Sequence, residues 1–252
     1  MTRGLFVHAR PVAFAALASL AAAAVLAACS STSAPAATGT AADRGRLLFS
    51  DTELSTSSTN LFSCATCHEA DSTADVVKPG GSLAGVTTRP TFWGGQGNDL
   101  LRAVNDCRYY FMGIPQAWTA DDDDARAMYA FLASLPPTYP DARPFTIDPT
   151  TPDLKGRDAA AGALLFPRTC GVCHGEVHTG KGRLGPQIPA IPDETLSSHA
   201  GVYSDIEQRL VFVEKSRHGG FLGYGGNMPP FSKEILSDEN LTDLLAHMGV
   251  GR

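Results

Sequence analysis

Apolar positions recur at helical spacing in four short segments of the chain. Residues 43–49 and 161–166 each place Leu and Phe side chains just after a glycine, which predicts a short amphipathic helix in each segment. Residues 128–132 and 241–246 show the same period. Six prolines between residues 136 and 152 exclude a continuous helix there and predict an extended linker. The pattern therefore predicts a mainly α protein whose two halves resemble each other.

The N-terminus has the pattern of an export signal. Arg3 and Arg10 precede an apolar run over residues 11–28 that is dominated by Ala and Leu. The run is too rich in small residues to favour a permanent membrane helix. We expect it to be a signal peptide covering residues 1–28.

The end of this run resembles a bacterial lipobox. Residues 26–29 read Leu-Ala-Ala-Cys, and in lipoproteins cleavage before such a cysteine leaves it to be acylated. The resemblance implies lipidation at Cys29 and a chain anchored on the periplasmic side of a bacterial membrane. Ser30 after the cysteine favours the outer membrane. Residues 29–42, rich in Ser, Thr, Ala and Pro, then form a flexible tether.

Composition limits the class of protein and of partner. The 252 residues are 43% hydrophobic and 18% charged, which is typical of globular chains, whereas 25 Gly and 17 Pro predict many loops. Small loop-rich domains need additional core material, which a buried cofactor would supply. The net charge is −6, and loss of Arg3 and Arg10 with the signal makes it −8. A nucleic-acid partner is disfavoured, and redox partners with basic docking surfaces are favoured.

Five of the six cysteines have a clear assignment. Cys29 lies in the lipobox, and two Cys-x-x-Cys-His motifs account for four more, namely Cys64, Cys67 and His68 and then Cys170, Cys173 and His174. A redox dithiol or half of a zinc site would use Cys-x-x-Cys alone, but the following His and the duplication indicate covalent haem attachment. We therefore expect two covalently bound haem c groups, with the thiols holding the rings and each His binding iron.

The surroundings of the two motifs indicate an internal duplication. Each motif follows one of the predicted amphipathic helices, and each half ends in a helical segment. The repeat resembles two tandem class I cytochrome c domains, each built around one haem. The expected organisation is a first domain over residues 43–137, a Pro-rich linker over residues 138–152 and a second domain over residues 153–252.

The second half also resembles class I cytochromes beyond its motif. Gly226-Asn227-Met228-Pro229-Pro230 resembles the family's methionine loop, which implies that Met228 is the second axial ligand. Gly185-Pro186 resembles the turn whose proline carbonyl accepts the proton of the proximal imidazole. Pro79 is the counterpart in the first half, where an ordinary turn proline is an equal alternative.

The second axial ligand of the first haem has two candidates. Cys107 and Met112 are five residues apart, about 140° around a helix, so one helical face cannot present both. Met112 precedes Gly113-Ile114-Pro115 and could leave the helix. Cys107 is the unassigned thiol of an exported chain, where free thiols tend to be oxidised or paired. An open or His-ligated iron is a third alternative.

The segment around Cys107 gives a more specific resemblance. Asn105, Cys107 and Met112 resemble a helix of thiosulfate dehydrogenases and related dihaem cytochromes, in which the Cys ligates a catalytic haem. The match covers about ten residues, and an Arg-rich substrate pocket like that of the family is not evident. The favoured function is therefore electron transfer between redox partners by a membrane-tethered dihaem cytochrome. The alternative is an oxidoreductase that acts on a sulfur compound at the first haem.

Overall fold

A computed structural model describes residues 39–55, 61–70, 77–136, 145–147, 150–219 and 227–250. The predicted signal peptide and the lipidation site at Cys29 lie outside these residues. In chain order the helices are α1 Ala41–Ser50, α2 Cys64–Cys67, α3 Leu100–Tyr110, α4 Asp123–Ser134, α5 Ala159–Leu165, α6 Gly171–His174, α7 Asp193–Ser198, α8 Asp205–His218 and α9 Asp238–His247. Two short parallel strands, β1 His68–Glu69 and β2 Gly81–Ser82, pair with each other. The described residues are thus mainly helical, as the sequence predicts.

The first half is built on the crossing of α1 and α4. Gly45 of α1 lies so close to α4 that a methyl group at this position would be 2.1 Å from the carbonyl oxygen of Ala127. One turn further along each helix, Phe49 and Phe131 stack with ring centroids 5.3 Å apart. The absence of a side chain at Gly45 therefore allows the two helix backbones to meet, and the aromatic pair fills the space beside them.

The second half repeats this crossing with α5 and α9. A methyl group at Gly162 of α5 would lie 2.0 Å from the carbonyl oxygen of Asp243 on α9. Leu241, Leu244 and Leu245 of α9 are at most 1% exposed and form the centre of the second core. The same residue type thus makes the same kind of backbone contact in both halves.

Helix ends follow the local sequence. Thr40 and Asp43 form a reciprocal capping box at the start of α1, and the Ser237 side chain accepts the backbone N–H of Asn240 at the start of α9. Arg44 then bridges the first crossing through an ion pair of 2.5 Å with Asp124. These contacts fix where the paired helices begin.

Residues 145–147 of the predicted linker form neither helix nor strand, and they contact both halves. The ring of Phe145 meets Trp93 edge to face at 6.0 Å, and the backbone N–H of Thr146 donates to Glu234 at 3.0 Å. Both halves belong to one compact unit that starts at Gly39. Within the described ranges, no helix has the length and apolar character needed to cross a membrane.

Candidate haem-binding sites

The first motif forms a single helical turn that begins and ends on its cysteines. Cys64 is the first residue of α2, Cys67 is the last, and His68 follows in β1. The Nζ of Lys78 donates to the carbonyl of Ala65 at 3.0 Å and forms an ion pair with Glu69 at 3.2 Å. Lys78 therefore fixes the end of the motif, and no sequence pattern indicated this role.

A backbone carbonyl holds the imidazole of His68. The Nδ1 of His68 lies 2.9 Å from the carbonyl oxygen of Gly80, and since a carbonyl only accepts, Nδ1 carries the proton. Burial lowers the pKa of His68 to about 4. The ring is therefore neutral at neutral pH, and Nε2 keeps a lone pair for a metal. The prediction that Pro79 supplies this carbonyl is wrong by one residue, because the tight turn places the oxygen of Gly80 opposite the ring.

The second motif has the same arrangement with a different partner. His174 ends α6, and its Nδ1 lies 2.8 Å from the carbonyl oxygen of Pro189. Burial lowers the pKa of His174. The prediction of Pro186 is therefore wrong as well, because the loop runs three residues further before its carbonyl reaches the imidazole.

An ion pair holds the loop that carries Pro189. Arg183 donates to the carbonyl of Ile188 at 3.1 Å and to both carboxylate oxygens of Glu194, at 3.0 and 2.9 Å. Glu194 in turn accepts the backbone N–H of Ala190 at 3.0 Å. This network fixes the residues on both sides of Pro189, and the sequence alone gave no signal for it.

A cavity of about 750 Å³ opens beside the first motif. Cys64, Cys67 and His68 line it, and so do both candidate sulfur ligands, Cys107 and Met112. Helix α3 ends at Tyr110, and the backbone N–H of Met112 donates back to the carbonyl of Cys107 at 3.3 Å. Because Met112 lies beyond the end of α3, the argument that one helical face cannot present both residues does not apply, and both residues line the cavity.

The loop after Met112 is held by two residues of α3. The Asn105 side chain accepts the backbone N–H of Trp118 at 2.8 Å and donates to its carbonyl at 2.9 Å. The guanidinium of Arg108 donates to the carbonyl of Gln116 at 2.9 Å and stacks on the Trp118 ring at 3.9 Å. Arg108 is 5% exposed and lines the cavity. These contacts hold residues 116–118, in the loop after Met112, against α3.

Met228 packs against the core of the second half, which also contains Cys170. The loop after Met228 is anchored to α8. The backbone N–H of Phe231 donates to Ser216 at 2.7 Å, and Arg217 donates to the carbonyls of Phe231 and Leu236 at 3.2 and 2.7 Å. Arg217 is 1% exposed and also pairs with Asp238 at 2.7 Å. Arg217 is therefore a structural anchor of the methionine loop.

Replacing Arg217 by Met is expected to lower the free energy of unfolding by about 3 kcal/mol, because two buried carbonyls lose a charged donor. It should also weaken the spectroscopic signature of a methionine-bound haem, since the loop is released. Lys215→Met, an exposed site on the same helix, serves as the control. Urea unfolding and visible spectra measure both effects, and equal behaviour of the two variants would contradict the anchoring role.

The residues at the first motif fit a haem. The five described cysteines are free thiols, and burial raises the pKa of Cys64 and of Cys170 to about 11. The first cavity has the volume of a cofactor site, and apolar side chains such as Phe49, Leu100 and Leu132 line it. Thiols at one edge and a neutral, oriented imidazole supply the donors that covalent haem attachment requires.

Comparison with known proteins identifies the class of the second half. Residues 157–248 match the family model "Cytochrome C oxidase, cbb3-type, subunit III". Two relatives, each named alcohol dehydrogenase (quinone), cytochrome c subunit, from Gluconacetobacter polyoxogenes and Komagataeibacter europaeus, are 29% identical over 149 residues. The alignments cover 53% of this chain and 29% of each relative, so the chain matches less than a third of their length.

The matched residues carry Cys170, Cys173, His174 and Met228. They contain a cytochrome c domain, which implies a covalently bound haem c and a role in electron transfer. The first motif lies outside the residues that the family model matches.

Proposed function

We propose that the chain is a dihaem c-type cytochrome that passes electrons between redox partners on the periplasmic side of a bacterial membrane. The observation that carries the proposal is the cavity beside the first motif, where Cys64, Cys67 and His68 meet two sulfur donors. The helix crossings at Gly45 and Gly162 support two related domains with one haem in each. The protein holds each imidazole neutral and oriented and surrounds each motif with apolar side chains.

The second site reaches the cavity of the first motif. Pro229 and Pro230, which directly follow Met228, line this cavity together with Cys67. The shared lining supports two haem edges near each other. The proposed function therefore includes direct electron passage between the two sites.

The proposed redox partners are argued from the net charge and the relatives, and the proposed lipid anchor is argued from Cys29. The net charge of −8 without the signal favours partners with basic docking surfaces. The relatives are cytochrome c subunits of a quinone-linked dehydrogenase, which favours a dehydrogenase as electron donor. An acyl chain at Cys29 would hold the protein at the membrane, with the outer membrane favoured by Ser30.

Haem content and lipid labelling test this proposal. A denaturing haem assay and intact mass should find two covalent haems per chain, and both should become reduced by one electron donor. Labelled palmitate should enter the wild type and should not enter Cys29→Ser. A count of one or none would contradict the dihaem proposal, and absence of label would contradict the anchor.

A sulfur-compound oxidoreductase is the second candidate, because Cys107 lines the first cavity. In this alternative a haem ligated by Cys107 would be catalytic, as the resemblance to thiosulfate dehydrogenases implies. Haem reduction by thiosulfate, with turnover to tetrathionate, would favour the enzyme. Its absence over a range of pH would favour the carrier.

Single substitutions assign the axial ligand of the first haem. One of the variants Cys107→Ala and Met112→Ala should convert the first haem from low spin to high spin, and the other should leave it low spin. The reason is that both sulfurs line the cavity and one iron has a single remaining axial position. Electron paramagnetic resonance measures the change, and a low-spin signal that persists in both variants would exclude both residues.

A further inference from the structure

The cavity beside the first motif is completed by the second half of the chain. Pro229, Pro230, Ser232 and Ile235 line it together with the first motif. These residues follow Met228 directly in the sequence. We call residues 229–235 the shared loop, because it continues the methionine loop of the second site and lines the first.

The shared loop is in van der Waals contact with the strand that follows Gly80. A methyl group built at Gly81 would lie 3.0 Å from Cδ1 of Ile235, so no water separates the two surfaces. Gly81 pairs with His68 across the two-stranded sheet, and Gly80 accepts the Nδ1 proton of His68. Ile235 therefore packs directly against the backbone that orients the proximal imidazole of the first site.

The predicted linker holds the shared loop in this position. The backbone N–H of Lys233 donates to the carbonyl of Thr146 at 3.4 Å, and Glu234 accepts the backbone N–H of Thr146 at 3.0 Å. Phe145 continues this contact to Trp93 of the first half. Phe145 and Thr146 also line the cavity. The loop is thus hydrogen-bonded to the linker, and the linker in turn packs on the first half through Phe145 and Trp93.

Resting on the proposed dihaem function, we propose that the shared loop is a structural wall of the first haem site. It positions His68 through Ile235 and Gly81, and it sets the reduction potential of the first haem. The shared loop continues the loop that places Met228 in the second site, and it also forms a wall of the first site. A substitution in the shared loop therefore alters the surroundings of both haems.

The physical reason is the exclusion of water. Ile235 is 7% exposed and Ser232 is fully buried, so the loop separates the cavity from solvent. Oxidised haem iron carries one more positive charge than reduced iron, and this charge is stabilised by water. Removing part of the wall admits water and lowers the reduction potential of the first haem. Ile235 acts through the pocket and is a positioning residue.

Ile235→Ala in the haem-loaded protein tests the proposal, and Leu236→Ala is the matched control. Both side chains belong to the second core and are buried, with 7% of Ile235 and 1% of Leu236 exposed. Of these two described residues, Ile235 lines the first cavity and Leu236 does not. Ile235→Ala should lower the ratio of reduced to oxidised first haem tenfold at a fixed applied potential. This change corresponds to a reduction potential of the first haem that is lower by about 59 mV for a one-electron couple. Leu236→Ala should leave this potential within the error of the titration.

Spectroscopic redox titration measures the reduction potentials of the two haems. The titration step of the first haem, called its wave, is identified as the step that is missing in the double variant Cys64→Ala/Cys67→Ala. Ile235→Val, which removes one methylene group, should shift the same wave in the same direction by less, and it keeps the test valid if the alanine variant does not fold. Equal shifts of the first wave in Ile235→Ala and Leu236→Ala would overturn the shared wall alone. A wild-type protein with a single haem would overturn the proposed function, and this inference with it.

Discussion

Replacing Cys64 and Cys67 together by Ala is expected to reduce the covalent haem content from two per chain to one. The two thiols begin and end α2 and line the first cavity, so their loss removes both attachment points at once. The second motif lies in α6, and Cys170 packs in a separate core cluster with Met228. The remaining haem should therefore keep the spectrum of a His/Met centre, as measured by intact mass and visible spectroscopy.

Cys107→Ala is the matched control for the double variant. Cys107 is a third thiol lining the same cavity, but it lies in α3 outside the Cys-x-x-Cys-His motif. This variant should keep two covalent haems whatever it does to the spin state. Two haems in the double variant would contradict attachment at the first motif. Loss of both haems would contradict independent loading of the second site.

Gly45→Ala is expected to destabilise the protein although it removes a glycine from a helix. In an isolated helix this change stabilises by about 1 kcal/mol, because Ala loses less backbone entropy. At the α1–α4 crossing the added methyl group would lie 2.1 Å from the carbonyl oxygen of Ala127 and 2.6 Å from Cβ of Phe131. The backbones would have to separate, and overpacking of this kind costs about 3 kcal/mol. Denaturant unfolding of the holoprotein measures the difference.

Two further glycines make this prediction specific. Gly162→Ala should destabilise by a similar amount, since its methyl group would lie 2.0 Å from the carbonyl oxygen of Asp243. Gly97→Ala meets no heavy atom within 4 Å and should leave the free energy of unfolding unchanged to within about 0.5 kcal/mol. If Gly45→Ala were as stable as the wild type, the close helix crossing would be wrong.

The hydrophobic pattern predicted the paired helices well, because amphipathic period and glycine position are local properties. The predicted helices at residues 43–49 and 128–132 lie within α1 and α4. Their counterparts overlap α5, which ends one residue earlier at Leu165, and lie within α9. Each motif forms a short helical turn in the structure, α2 at the first motif and α6 at the second. The match of residues 157–248 to a cytochrome c family supports the interpretation of the second motif.

The imidazole partners were predicted less well, because they depend on how long a loop travels before it turns. The resemblance to class I cytochromes predicted that the carbonyls of Pro79 and Pro186 accept the imidazole protons. In the structure the carbonyls of Gly80 and Pro189 accept them from His68 and His174. A shift of one to three residues along a loop costs little and leaves no pattern in the sequence. The predicted domain bounds at residues 137 and 153 stay a prediction, and Phe145 and Thr146 of the described linker residues contact the first and the second half, respectively.

The sequence by itself determined the mainly helical class and pointed to covalent haem at the second motif, because amphipathic period and a Cys-x-x-Cys-His motif are short-range patterns. The first haem and the duplication stay predictions from the same kind of pattern. Only the tertiary structure decided that Cys107 and Met112 share one cavity and that Pro229, Pro230 and Ile235 form part of its wall. Pro229, Pro230 and Ile235 lie more than a hundred residues after the first motif in sequence, and Cys107 lies about forty residues after it, so packing rather than spacing along the chain brings them together.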